Sequence, residues 1–235
     1  SFDLSSGEQL PCQSSEDVVA LHKGKLAMIH SILEPVYGQD WRDVSCLDLG
    51  CHQGFFALKM AEKGCRKVLG VDASADKIAD ASLIRRLRDL PNLSFKLADL
   101  RHLNPQETGS FDVVLMLDTL SSFENPINAI RLAKTFTKRL LIIETPVPPE
   151  VNGQIDPAVF GPRKQLRGSI ALIDRAEDPN SPAIGSTQIP LYPSREALIW
   201  IMKRLGFSRV EVVAPTEGAC EQLASGKRIM LVGYV

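Results

Sequence analysis

From Val44 onward, short apolar runs alternate with longer amphipathic stretches, and the alternation is regular enough to predict an element order. SCLDL (45–49), KVLGVD (67–72), LSFKLAD (93–99), FDVVLMLD (111–118) and RLLIIET (139–145) read as strands. The fourth is continuously apolar, as strands covered on both faces are. Between them, GFFALKMAEKG (54–64), SADKIADASLIRRLRDL (74–90) and the stretch from Asn125 to Thr135 read as helices. Gly64 closes the first of these; Ser74 caps the second, which stops before Pro91. Strands separated by helices of this length need βαβ crossovers, hence a parallel sheet with helices on both faces.

Three regions depart from that rhythm. Residues 1–14 are polar, carry Gly7 and Pro11, and read as a loose leader. Ser15 then caps a helix with Glu16 and Asp17 in its first turn. Its apolar positions, Val18, Val19, Leu21, Leu26, Ile29 and Ile32, recur at helical spacing up to Pro35. Residues 1–43 are therefore expected to form a leader and a helix ahead of a main domain at 44–235. Segment 146–193 is dense in proline and holds one short apolar run, SIALI (169–173), so it is expected to be an inserted lid or binding loop. Finally, Ser194 caps REALIWIMKRLG, and FSRVEVVA (207–214) and RIMLVGYV (228–235) read as two strands paired antiparallel. The expected architecture is α/β: a doubly wound, mostly parallel seven-stranded sheet with an antiparallel C-terminal strand.

Composition narrows the function classes. A chain of 235 residues with 44% hydrophobic and 23% charged residues buries one sizeable core. A formal net charge of −1 leaves no basic footprint for long nucleic acid. Cys12, Cys46, Cys51, Cys65 and Cys220 are scattered and form no C-x-x-C, which points to no disulfide framework and no metal site. Cys46 and Cys51 flank an apolar strand and read as buried thiols in a reducing, cytoplasmic setting. No apolar run approaches the roughly 18 residues of a membrane span, so no membrane association is expected.

The most informative segment is Asp48-Leu49-Gly50-Cys51-His52-Gln53-Gly54-Phe55-Phe56. A glycine-bearing turn between a parallel strand and a helix lets a ligand approach backbone amides at the helix N-terminus. A dinucleotide at such a turn wants glycine where this chain has His52, because the pyrophosphate lies against it. A nucleoside joined to an amino acid has no phosphate and tolerates the larger residue. Asp48, at the strand end, is placed to hold an ammonium group. Asp72 ends the second strand, where an acidic side chain accepts ribose hydroxyls. Asp99 closes the third, with Ala98 and Leu100 beside it for an adenine ring. Three aspartates at the carboxyl ends of three successive strands face one crevice, which is where such sheets bind ligands.

LDLGCHQGFF (47–56), VLGVDAS (68–74), the LAD at 97–99, FDVVLMLDTL (111–120) and LLIIET (140–145) resemble the class I S-adenosylmethionine-dependent methyltransferases. YPSREALIWIMKRLGF (192–207) is similar to the closing segment of the group related to the tRNA wobble-uridine carboxymethyltransferase. The resemblance implies a Rossmann-like methyltransferase fold with S-adenosyl-L-methionine as cofactor. It implies that Asp48, Gly50, Cys51, His52, Gly54 and Phe55 line the methionine end, and Asp72 and Ala73 the ribose. Ala98, Asp99 and Leu100 would line the adenine, and Leu117 and Asp118 the sulfonium side. That group carries Tyr-His after the fourth strand, where this chain has Ser121-Ser122, so the resemblance implies methyl transfer to a different acceptor.

Methyl transfer from a sulfonium needs the acceptor aligned and water excluded; a base is needed only where the acceptor holds its proton. His30, His52, Asp118 and Glu144 are the expected catalytic candidates, with His22 and His102 as the other histidines. Arg163 and Arg167, with Lys164 and Arg175 in the same insert, would recognise an anionic acceptor. The expectation is an enzyme methylating a small molecule, such as a natural-product intermediate or an anionic metabolite. The rival readings are an RNA-modifying methyltransferase, a non-catalytic donor-binding domain of a larger protein, and a nicotinamide-dependent oxidoreductase.

Overall fold

A computed structural model describes residues 2–3, 9–10, 15–150, 155, 157–161, 165–173 and 189–235. Seven strands form the central sheet: β1 (Ser45–Leu49), β2 (Lys67–Asp72), β3 (Leu93–Leu97), β4 (Phe111–Leu117), β5 (Thr137–Pro146), β6 (Arg209–Val213) and β7 (Arg228–Tyr234). Their spatial order is β3-β2-β1-β4-β5-β7-β6, and β7 alone runs antiparallel to its neighbours. The order reverses between β1 and β4, a switch point where the loops leaving the carboxyl ends diverge and open a crevice. The doubly wound architecture expected from the sequence is the observed one.

Side chains along each central strand alternate between two cores. Cys46, Val68, Val113, Leu115 and Ile142 face one layer, with α1 (Glu16–Tyr37) and α2 (Phe55–Glu62) packed on it. Leu47, Val71, Val114, Met116 and Ile143 face the other, covered by α4 (Pro126–Thr135) and α5 (Arg195–Arg204). Between these in sequence, α3 (Ala75–Leu87) buries Ala81 and lays Ile84 on the first layer. Because both faces are covered, the inner strands β4 and β5 carry continuous apolar runs, whereas the edge strand β3 alternates as Leu-Ser-Phe-Lys-Leu.

The caps follow the sequence with two exceptions. Ser15, Asn125 and Ser194 each accept a backbone N–H of the first helical turn, as N-caps do. Ser74 stands at the start of α3, but its hydroxyl caps nothing; its own N–H donates to Asp72 Oδ1 at 2.9 Å. The helix entry is thus fixed by the aspartate two residues earlier. The first helix runs through Pro35 to Tyr37 rather than stopping there, because a proline in the last turn forfeits one backbone bond and Gly38 closes the helix onto Glu34 O at 2.8 Å.

The proline-rich insert carries structure of its own. Ile170–Leu172 pairs antiparallel with Leu191–Pro193, and Pro157–Phe160 forms one helical turn. Arg163, Lys164 and Arg175 lie outside the described residues. Among the described residues no helix is long and apolar enough to cross a membrane, and no group of three His, Cys, Asp or Glu could hold a metal ion.

Candidate active site

The donor turn is built by backbone geometry. Gly50 and Gly54 adopt φ of 75° and 81°, and His52 between them is left-handed at 52°. A Cβ on Gly50 would stand 2.5 Å from Thr119 Oγ1, and one on Gly54 would stand 2.5 Å from Phe95 Cζ. Both positions therefore require glycine for space as well as conformation. Asp118 at the end of β4 is left-handed too, at 57°, so two non-glycine residues hold a costly conformation at the same crevice.

Four of the turn's amides are already bonded within the protein. Gly50 N and Cys51 N both donate to Val71 O, at 2.8 and 3.0 Å, and Gly54 N donates to Cys51 O. His52 N donates to Asp72 Oδ2 at 2.8 Å. With these donors committed, recognition of a ligand falls to carboxylates, hydroxyls and shape.

Those carboxylates are placed in three ways. Asp72 accepts the amides of His52 and Ser74, one on each oxygen, which fixes its plane and leaves further lone pairs toward the cleft it lines. Asp99 accepts Arg101 N and two guanidinium nitrogens of Arg101, which hold its carboxyl below the usual carboxylate range. Asp48 is buried, and its Oδ2 has no hydrogen-bond partner among the described residues. Burial drives its carboxyl up to about 7, against the backbone N–H of Ala57, which favours the charged form. A buried carboxylate with an unanswered oxygen beside a ligand turn fits a cationic ligand group.

An open cleft of about 400 Å³ lies over the switch point, lined by Gly50, Asp72, Ala73, Asp99, Leu100, Thr119, Ser122 and Phe123. Gly50, Asp72, Ala73, Asp99 and Leu100 are thus brought together as expected. Ala98 sits behind them, half-buried, its N–H on Asp72 O at 3.0 Å. Cys51 is buried, with its thiol toward His52 O, while Leu117 is buried and its carbonyl accepts Thr119. Thr119, Ser122 and Phe123 escape sequence reasoning. Thr119 Oγ1 reaches both Leu49 O and Leu117 O at 3.0 Å, stitching the ends of β1 and β4 beneath Gly50. Its sole sequence trace is a threonine directly after a strand-ending aspartate.

The acceptor-side candidates are rearranged. Glu144 is fully buried and paired with Lys25 at 2.6 Å and with Arg228 at 2.6 Å. Arg228 also reaches Asp118 Oδ1 at 2.5 Å. Glu144 is therefore no proton acceptor for a substrate: it is the centre of a buried ion cluster. Asp118 is its exposed end, with 53% of the side chain accessible. His30 is likewise misplaced as a catalytic candidate. It packs edge-on against Trp41, whose ring lies beneath the amino end of β1, away from the crevice. His22, on the same helix, stacks on Phe55 at 5.1 Å and meets Phe56 edge-on at 5.5 Å. It stands over the start of α2, close enough to His52, Asp118 and Glu144 to feel their charges. His52 itself lies exposed on the rim, and His102 is exposed beside Asp99. Arg167 is exposed and donates to Gln165.

The family profile described as "Methyltransferase domain" matches residues 41–159, half of the chain. The chain belongs to the class I S-adenosylmethionine-dependent methyltransferases. The matched stretch of this methyltransferase runs from before β1 to beyond β5 and contains every cleft residue named above. It is 33% identical over 104 residues to a ubiquinone biosynthesis O-methyltransferase of Albidiferax ferrireducens, covering 44% of this chain and 39% of that protein. It is 31% identical over 100 residues to a tRNA U34 carboxymethyltransferase of Desulfotalea psychrophila, covering 42% of this chain and 31% of that protein. The alignments thus span less than half the length of either relative. The N-terminal domain of EvdMO1, solved with S-adenosylhomocysteine bound, superposes with a TM-score of 0.69 at 18% identity, over 94% of this chain and 85% of that one. The methyltransferase fold therefore extends beyond the matched stretch, through β6 and β7.

Proposed function

We propose that this chain transfers a methyl group from S-adenosylmethionine to a small-molecule acceptor. The observation that carries the reading is the pairing of Asp72 and Asp48 across Gly50. Asp72 is pinned by two amides with lone pairs toward the cleft, suited to two ribose hydroxyls. Asp48 is a buried carboxylate whose open oxygen suits the methionine ammonium. In this arrangement Asp99, Ala98 and Leu100 hold the adenine, and Gly50, Cys51, His52, Gly54 and Phe55 shape the methionine end. Leu117 and Asp118 border the sulfonium.

When bound, the sulfonium supplies an activated methyl group and leaves as a neutral thioether. The protein's own work is alignment and exclusion of water. The buried shelf of Leu117 and Thr119 fixes the floor, and α1, pinned by Lys25 on Glu144, serves as the cap on the acceptor side. The insert at 146–193 serves as a lid, with Arg163 and Arg167 available to an anionic part of the acceptor. A small acceptor is favoured over RNA because the net charge of −1 gives no phosphate-tracking surface. The RNA reading keeps one specific support, the likeness to a tRNA carboxymethyltransferase.

Titration calorimetry of the full chain with S-adenosylmethionine, S-adenosylhomocysteine and NAD tests the donor. Binding of the first two and not of NAD is expected; NAD binding more tightly than either would overturn the reading. Incubation with methyl-labelled donor, total tRNA and a metabolite extract separates the acceptors, with label in the tRNA fraction deciding for the alternative.

A further inference from the structure

The ion cluster fixes which residue faces the methyl group. Lys25 and His22 are three residues apart on α1 and so share one helical face. Lys25, 3% exposed, is locked onto Glu144 at 2.6 Å, which sets that face against the carboxyl end of β5. One turn earlier, His22 is held flat on Phe55 at an interplanar angle of 23°, with Phe56 edge-on behind it. The imidazole is half-buried at the junction of α1, the donor turn and the end of β4.

We propose that His22 is the base that takes the proton of the acceptor, and that the acceptor carries an acidic hydroxyl, phenolic or enolic, on a flat ring. This deepens, and rests on, the donor reading above. The acceptor oxygen gives its proton to an imidazole nitrogen of His22 and uses the freed electron pair to form the O–CH₃ bond. As that bond forms, the S–CH₃ bond breaks and its electrons remain on sulfur as the thioether. His22 later loses the proton to water.

Three features select this acceptor class. The charged groups facing His22 are Lys25 on its own helix, His52 in the turn, Asp118 after β4 and Glu144 on β5. Burial, with Lys25 and His52 next, holds the imidazole below its usual 6.5 against the pull of both carboxylates, so it is neutral and ready to accept at pH 7. Such a base suits a phenol, which ionises near about 10, and is poorly matched to an alkyl alcohol, as weak an acid as water at about 15.7. Lys25 and Arg228 are both neutralised by Glu144 and Asp118, so this wall presents no net charge to the reacting hydroxyl, and its aromatic rings favour a planar acceptor.

The test uses the full chain loaded with S-adenosylhomocysteine and titrated with phenol or benzoate, reading the histidine imidazoles by NMR, with His22→Gln to assign the signal. Phenol is expected to shift the His22 resonances, and His22→Gln to leave S-adenosylhomocysteine affinity within about twofold. With S-adenosylmethionine, anisole formation should fall about 100-fold in His22→Gln and lose the acidic limb of its pH profile, whereas methyl benzoate formation should not change. Phenol leaving His22 unperturbed, or anisole formed equally well by the variant, overturns the assignment. Equal losses for phenol and benzoate would make His22 a positioning residue and overturn it as base. Failure of S-adenosylhomocysteine to bind would instead remove the donor reading.

Discussion

Replacing Lys25 with methionine tests the ion cluster as the anchor of the acceptor wall. Lys25 and Glu144 are 3% and 0% exposed, so neither charge is screened by water. The wild-type cluster balances two cations, Lys25 and Arg228, against Glu144 and Asp118. Lys25→Met leaves one excess negative charge, with Glu144 still answered by Arg228 at 2.6 Å. Breaking a buried pair costs about 3–5 kcal/mol when a charge is stranded; the remaining arginine puts this case at the lower end, about 3 kcal/mol. For a chain of 235 residues that is a fall in Tm of roughly 6–12 °C. The double variant Lys25→Met/Glu144→Leu removes one charge of each sign and should regain at least half of the loss. Urea unfolding followed by circular dichroism measures both, with the slope checked for constancy. If Lys25→Met lies within about 1 kcal/mol of wild type, or the double variant is less stable than the single, the anchoring argument fails.

Three further outcomes follow from the donor site. Gly50→Ala places a methyl group 2.5 Å from Thr119 Oγ1 at a φ of 75°, so calorimetry should show donor affinity reduced more than about tenfold, with partial recovery in Gly50→Ala/Thr119→Ala. Asp72→Asn removes the charge that two amides orient, and should weaken S-adenosylmethionine and S-adenosylhomocysteine alike by about 1.5–3 kcal/mol in the same assay. Asp48, held up to about 7, binds a proton in the folded chain that it has lost in the unfolded one over the interval from about 4 to 7. Its contribution to stability is therefore full below that interval and lost as pH rises through it, and Asp48→Asn should flatten that slope in denaturation at pH 5 and 8. Donor affinity should run the opposite way, rising about tenfold from pH 6 to 8 as the carboxyl ionises for the ammonium, and staying flat in the variant.

β1 and β4 were legible because nearly every residue in them is buried, and β2 because its apolar positions are. β1 and β2 occupy the residues their apolar runs predict, 45–49 and 67–72. Where the chain departs, a local polar bond outweighs the pattern. Asp72 takes the Ser74 amide, so the serine that looks like a cap is not one. α1 runs two residues beyond Pro35 and closes with the Gly38 N–H on Glu34 O. The turn at 50–54 was legible from its glycines, both of which adopt positive φ. That its amides close on Val71 and Asp72 was not, since this depends on how the β1 and β2 ends abut.

The acceptor side was the least legible part, and one cause accounts for the placement of Glu144 and His30. Glu144 reads as a candidate base because it ends a strand at the crevice, as Asp118 does. What separates them is burial and a second cation: Arg228, 84 residues from Glu144, reaches both carboxylates, but the fully buried Glu144 also holds Lys25. Those cations in turn decide between the two histidines of α1, which stand about 12 Å apart along the helix axis. With Lys25 on the carboxyl end of β5, His22 on Phe55 and His30 on Trp41, the helix runs from the crevice toward the amino ends of the strands. Contacts invisible to local pattern thus set the polarity of the helix on the sheet, and that polarity, rather than any motif, brings His22 to the donor turn.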